Sequence, residues 1–103
     1  MTIDITDDTF DEVLTSNKPV MVDFWAGWCA PCKVLAPIID DVAKDVSGDV
    51  IVGKMDAEKY MTGGRFGVRN IPTVLIFKDG QVVDRLVGVK DASEYKQALS
   101  KII

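Results

Sequence analysis

Cys29 and Cys32 are the only cysteines in the chain, and no histidine accompanies them. They stand three positions apart in Trp28-Cys29-Ala30-Pro31-Cys32-Lys33. The thiolate, not the thiol, attacks sulfur and ligates metal. An unperturbed cysteine, with a pKa of about 8.5, is only a few per cent ionised at pH 7, whereas one tuned to about 7 is half ionised. The flanking residues put the pair where such tuning occurs. Val20-Met21-Val22-Asp23-Phe24-Trp25, apolar except for one acid, leads in as a strand, and helical periodicity follows from Ala30. The thiols therefore sit at a strand-to-helix junction. Unpaired backbone N–H groups and about half a positive charge favour an anion there. Cys29, nearest the helix start, is the candidate nucleophile. Cys32, one turn further in, is expected to be more buried and to act as the resolving thiol.

Three readings of this pair compete. A structural staple would close a four-residue loop, for which chain entropy offers about 2 kcal/mol at most. A zinc site needs four ligands, so two chains would have to share one metal. A redox dithiol needs no further ligand, and C-x-x-C after a buried strand within a βαβ pattern fits it best. These residues do not set the direction of exchange. A disulfide oxidase or isomerase, and a non-enzymatic zinc-bridged or interaction module, stay as alternatives to a reductase.

The chain has 103 residues, 48% apolar and 27% charged, which predicts one domain, 1–103, with a real core. The net charge of −4, with no run of lysine or arginine, disfavours nucleic acid and anionic membrane as partners. No apolar stretch approaches the roughly 18 residues of a membrane span. The acidic N-terminus carries no signal-peptide core, so the expected location is cytoplasmic, where two cysteines are more often catalytic than structural.

Ile3 to Ile5 reads as a short strand. Thr6 then caps a helix with Asp7 and Asp8 in its first turn and Phe10, Val13 and Leu14 on its buried face. Val20 to Trp25, apolar but for Asp23, reads as a strand covered on both sides. Ala30 to about Val46 is a helix with a stripe of Leu35, Ile38, Ile39, Val42, Ala43 and Val46. Pro37 should kink it. Val50 to Asp56 is the next strand, and Ala57 to Phe66 a helix weakened by Gly63 and Gly64. Thr73 to Phe77 and Gln81 to Val87 are strands joined by Lys78-Asp79-Gly80, a strong hairpin signal. Asp91 and Glu94 fit a capping box for a last helix carrying Tyr95, Leu99 and Ile102. The order is β-α-β-α-β-α, a β-hairpin, then α.

That order, with Trp28-Cys29-Ala30-Pro31-Cys32-Lys33 at the second strand-to-helix junction, closely resembles the thioredoxin family over essentially the whole chain. The resemblance rests on the segment Phe24 to Lys33, on Asp23, on Lys54 in the next strand, and on Ile71-Pro72-Thr73. Val87-Gly88 also fits. Two departures are Ala-Pro rather than Gly-Pro between the cysteines, and the pair Gly63-Gly64. The resemblance implies an α/β, thioredoxin-like fold with a central five-stranded mixed sheet flanked by four helices.

It also implies roles. Asp23 shares the face of Met21 and Trp25 by alternation. Burial would raise its pKa and let it exchange a proton near neutral pH, although pattern alone allows equally an aspartate turned to water. The resemblance places this acid behind the resolving cysteine as proton acceptor, with Lys54 as its charge neighbour. Only about 5–6% of X-Pro bonds are cis, yet the resemblance implies a cis-proline at Pro72, presenting the backbone of Ile71 to an extended substrate. Trp28, Ala30, Pro31, Ile71, Pro72, Val87, Gly88 and Val89 would form the docking surface. The implied activity is protein-disulfide reduction in cell redox homeostasis by a monomer with no bound cofactor and no metal, through a reversible Cys29–Cys32 disulfide. Its electrons would come from NADPH through thioredoxin reductase, and its partners would be that reductase and oxidised substrate proteins.

Overall fold

A computed structural model describes residues 1–103. The elements are β1 (Thr2–Asp4), α1 (Asp7–Leu14), β2 (Val20–Trp25), α2 (Ala30–Asp45), β3 (Ile51–Asp56), α3 (Thr62–Arg65), β4 (Thr73–Lys78), β5 (Gln81–Val87) and α4 (Ala92–Ser100). The sheet order is β1-β3-β2-β4-β5. β3 runs parallel to both β1 and β2, whereas β4 runs antiparallel to β2 and β5. This is the five-stranded mixed sheet with four helices that the resemblance implied. No helix is long and apolar enough to cross a membrane.

The alternation of β2 divides the core in two. Met21 packs with Leu35, Ile39 and Val42 of α2 and with Tyr95 and Leu99 of α4. Val20, Val22 and Phe24 turn the other way, onto Phe10, Met55, Leu75 and Phe77. There the rings of Phe10, Phe66 and Phe77 meet pairwise with centroids 5.2 to 5.6 Å apart. An apolar run without alternation is what such two-sided cover requires.

Local signals explain most boundaries. The Thr6 side chain accepts from Thr9 N at 3.2 Å, and the Thr9 hydroxyl accepts from Thr6 N at 3.0 Å, closing the start of α1. Asp79 and Gly80 both take positive φ, 53° and 79°, as a tight hairpin needs. α2 runs unbroken across Pro37.

Four expectations are corrected. The first strand is Thr2–Asp4, not Ile3 to Ile5. Ile5 still donates to Lys54 O at 2.8 Å, but its side chain is buried where the chain turns toward α1. Val50 precedes β3 because its N–H returns to Val46 O at 3.1 Å. The third helix is only Thr62–Arg65. Ala57 to Lys59 instead form a turn, in which Asp56 Oδ1 accepts from Glu58 N and Lys59 N at 2.9 and 3.2 Å. The Asp91 side chain makes no cap, since the N–H of Glu94 is taken by Asp91 O at 3.0 Å.

Tertiary contacts supply what α3 lacks in propensity. Asp7, from α1, accepts from Met61 N, Thr62 N and the Thr62 hydroxyl at 2.9, 3.0 and 2.6 Å. These bonds, that from Met61 N foremost, hold its carboxyl below the usual range. Gly63 is buried against Phe24, where a Cβ would lie 3.3 Å from the ring. Gly53 lets β3 pass under Ile5, whose side-chain carbons stand 2.2 and 2.8 Å from the position of a Cβ. Gly64 faces open space. Gly64→Ala should therefore raise stability by about 0.5–1 kcal/mol, and Gly53→Ala should lower it by about 1–3 kcal/mol through overpacking. Urea denaturation of the two variants beside the parent checks both signs.

Candidate active site

β2 ends at Trp25, and Ala26-Gly27-Trp28 carry the chain into α2. Cys29 N donates back to Ala26 O at 3.2 Å, which tightens that turn. Cys29 is the N-cap of α2, with φ −90° and ψ 106°. Its sulfur accepts the backbone N–H of Cys32 at 3.2 Å, where a serine or aspartate oxygen would otherwise sit. A helix start that donates to sulfur favours the thiolate over the thiol. Cys29 and Cys32 are joined as a disulfide, with Cα atoms 5.3 Å apart. Pro31 lies in the first turn, where its missing N–H removes no helical bond.

The expected difference in burial is not found: Cys29 and Cys32 are each 4% exposed as residues. The turn before α2 folds over Cys29 as closely as the helix covers Cys32. What separates them is surroundings. Cys29 Sγ lies 3.8 Å from Ile71 O. Cys32 borders a cleft of about 170 Å³ that also takes in Trp25, Ala36 and Lys54.

Asp23 is 1% exposed, and neither carboxylate oxygen has a hydrogen-bond partner. Desolvation dominates and pushes its pKa up to about 6. Lys54, its register partner on β3, pulls the other way, and Asp40 of α2 adds to the rise. Lys54 acts across space, without an ion-pair contact. Its ammonium stands 5.6 Å from the centre of the Trp25 ring. The alternative of a solvated aspartate at the strand end is thereby excluded.

The Ile71–Pro72 peptide bond is cis. Gly88 N donates to Pro72 O at 2.8 Å, which ties the segment after β5 to the segment before β4. Trp28, Val87 and Val89 are exposed at 69%, 45% and 39%, as are Ala30 and Pro31, whereas Ile71 and Gly88 are half-buried. Ile71 packs against the cluster of Ala26, Cys29 and Cys32. Val87 and Val89 join this face only by flanking Gly88.

Four participants were not singled out from the pattern. Tyr95, read as a core residue, also accepts from Lys90 N at 3.3 Å and donates to Gly88 O at 3.4 Å, holding the 88–90 segment. Glu58 accepts from Trp28 Nε1, and Asp56 fixes the turn that presents Glu58. Arg69 lines a cleft with Trp28 and Ile71. Only the tyrosine hydroxyl, a polar tip on an apolar helix face, left a signal in the sequence.

A family model described as thioredoxin matches residues 1–101. The chain belongs to the thioredoxin family. A thioredoxin of Mycobacterium tuberculosis is 45% identical over 99% of this chain and 90% of that protein. A thioredoxin of Rickettsia prowazekii is 43% identical over the whole of both. The bifunctional thioredoxin reductase/thioredoxin of Mycobacterium leprae is 42% identical over all of this chain and 23% of that protein. With the C-x-x-C pair of a thioredoxin joined as a disulfide, the chain is a protein-disulfide oxidoreductase that reduces disulfides by dithiol exchange. The oxidase, isomerase and module readings are not favoured.

The buried acid of this thioredoxin makes stability depend on pH. The folded pKa of Asp23, about 6, exceeds the ordinary value of 3.8, so the folded state holds the proton more tightly. Its contribution is most favourable below about 3.8 and is lost as pH rises through 6, a change of about 3 kcal/mol. An asparagine does not titrate there. The stability of Asp23→Asn relative to the parent should therefore grow by about 3 kcal/mol between pH 3.5 and pH 7.5. Denaturant midpoints across that range check it.

Proposed function

We propose that Cys29 is the nucleophile of the exchange, Cys32 the resolving thiol and Asp23 the proton acceptor. In the first step the Cys29 thiolate attacks one sulfur of a substrate disulfide. That disulfide breaks, the far sulfur leaves as thiolate, and Cys29 is held in a mixed disulfide. In the second step Cys32 gives its proton to the Asp23 carboxylate and attacks the Cys29 sulfur. The Cys29–substrate bond breaks, the second substrate thiolate leaves, and the Cys29–Cys32 disulfide forms. Two electrons pass from the dithiol to the substrate. The cap geometry carries the reading, since a sulfur that accepts the Cys32 N–H is the one best stabilised as an anion.

Asp23, with a pKa near 6, is ionised enough at neutral pH to accept the proton and basic enough to hold it. Lys54 lends it a positive field and borders the same cleft as Cys32. The substrate docks as an extended segment against the backbone of Ile71 beside Pro72, on the surface formed by Trp28, Ala30, Pro31, Val87, Gly88 and Val89. The dithiol is restored by a thioredoxin reductase drawing on NADPH, and the fusion of the two activities in the Mycobacterium leprae relative supports that partner. The protein acts on oxidised proteins as a monomeric single domain of the cytoplasm, with no further cofactor, metal, membrane or nucleic acid.

The two thiols are separable by substitution. Cys32→Ser should accumulate a mixed disulfide with a substrate protein, seen on a non-reducing gel and lost with added thiol. Cys29→Ser should trap little under the same conditions. Equal trapping by both variants would reverse or void the assignment.

A further inference from the structure

The three arginines are used unequally. Arg65 pairs with Asp11 and lies over the rings of Phe10 and Phe66. Arg85 donates to Phe66 O. Arg69 makes no hydrogen bond or ion pair within the chain, although it is exposed and two residues from Ile71. It lines a cleft of about 240 Å³ in which Trp28, Ala57, Val68 and Ile71 give the apolar wall and Glu58 is the other charged group. The Glu58 carboxylate is engaged by Trp28 Nε1. Arg69 is thus the unengaged charge of that cleft, a cation two residues from Ile71, whose carbonyl oxygen lies 3.8 Å from Cys29 Sγ, in a chain of net charge −4.

We infer that Arg69 is a specificity-determining residue for the exchange. Its guanidinium pairs with a carboxylate on the substrate segment beside the reacting cysteine, while an aliphatic neighbour of that cysteine fills the cleft. A guanidinium offers a planar fork of donors that matches a carboxylate. An extended segment advances about 3.3 Å per residue, so an aspartate or glutamate within about three residues of the substrate cysteine reaches Arg69 when the backbone lies along Ile71. The carboxylate of Glu58 repels a second acid placed near it, which leaves Arg69 as the one favourable position for an anion in the cleft. The inference rests on the docking of an extended segment at Ile71 proposed above.

The test uses two symmetric peptide disulfides, alike except for Glu or Lys two residues from the cysteine, and a small uncharged disulfide. At low ionic strength kcat/KM for the Glu peptide should exceed that for the Lys peptide by about fivefold, and the ratio should shrink as salt is added. Arg69→Gln should bring the ratio near one, and Arg69→Glu should invert it. Reading the ratio within each variant cancels any change in overall activity. A parent ratio of one, a preference for the Lys peptide, or a ratio unmoved by both substitutions overturns the role of Arg69. If the two peptides react equally but faster than the uncharged disulfide, docking stands and only Arg69 falls. If neither outruns the uncharged disulfide, the docking reading falls with it.

Discussion

Cover on both faces of β2 is the constraint on which the rest depends. A strand with apolar side chains on both sides must lie inside a sheet with helices above and below, and its end is then fixed by its neighbours. Trp25 stands opposite Asp56, Phe24 opposite Thr73, and Thr73 opposite Val87. The C-terminal ends of β2, β3 and β5 and the N-terminal end of β4 therefore fall along one edge of the sheet. That edge gathers the cysteine turn, the Glu58 turn, Ile71-Pro72 and Gly88 from four distant stretches. A strand order with β2 at its centre is what turns these loops into one site, as ligand sites form beyond the carboxyl ends of parallel strands.

Within this frame Asp23 is the costly member. A carboxylate inside the sheet with no hydrogen-bond partner is disfavoured in its charged form. Desolvation outweighs the attraction of Lys54 because Lys54 acts without contact, and the net effect is a group that titrates near pH 6. A close ion pair would have lowered the pKa and left a weak base. A fully apolar neighbourhood without the lysine would have kept the acid neutral at pH 7. The intermediate arrangement suits proton exchange with a thiol.

Few hydrogen bonds hold the segments around the cysteines in place. Tyr95 reaches from α4 to Gly88 and Lys90, Gly88 N is bound to Pro72 O, and Glu58 steadies the exposed Trp28. The bonds from Gly88 to Pro72 and from Trp28 to Glu58 join segments far apart in the chain, whereas Tyr95 holds near neighbours in sequence, so this exposed face is held partly by the fold and partly by local structure. α3 shows the same dependence. Its four residues are anchored by Asp7 of another helix, and Gly63 admits it against Phe24.

The sequence by itself determined the chemistry and most of the frame. Two cysteines at the N-terminus of a helix, an unalternating apolar strand before them and an Asp-Gly hairpin are local signals, because each element's period and caps lie within its own residues. The resemblance then supplied what pattern could not, including the cis bond at Pro72. Only tertiary structure decided how deeply the two cysteines lie. Their exposure depends on how the Ala26–Trp28 turn folds back, and residue spacing does not contain it. It also decided that Ala57 to Lys59 form a turn and not the start of a helix, that Asp7 bonds to the start of a helix 54 residues away, and that Tyr95 holds the 88–90 segment as well as packing in the core. It left Arg69, alone of the arginines, without a partner, because pairing of side chains across a sheet edge is a property of positions in space, which no run of residues records.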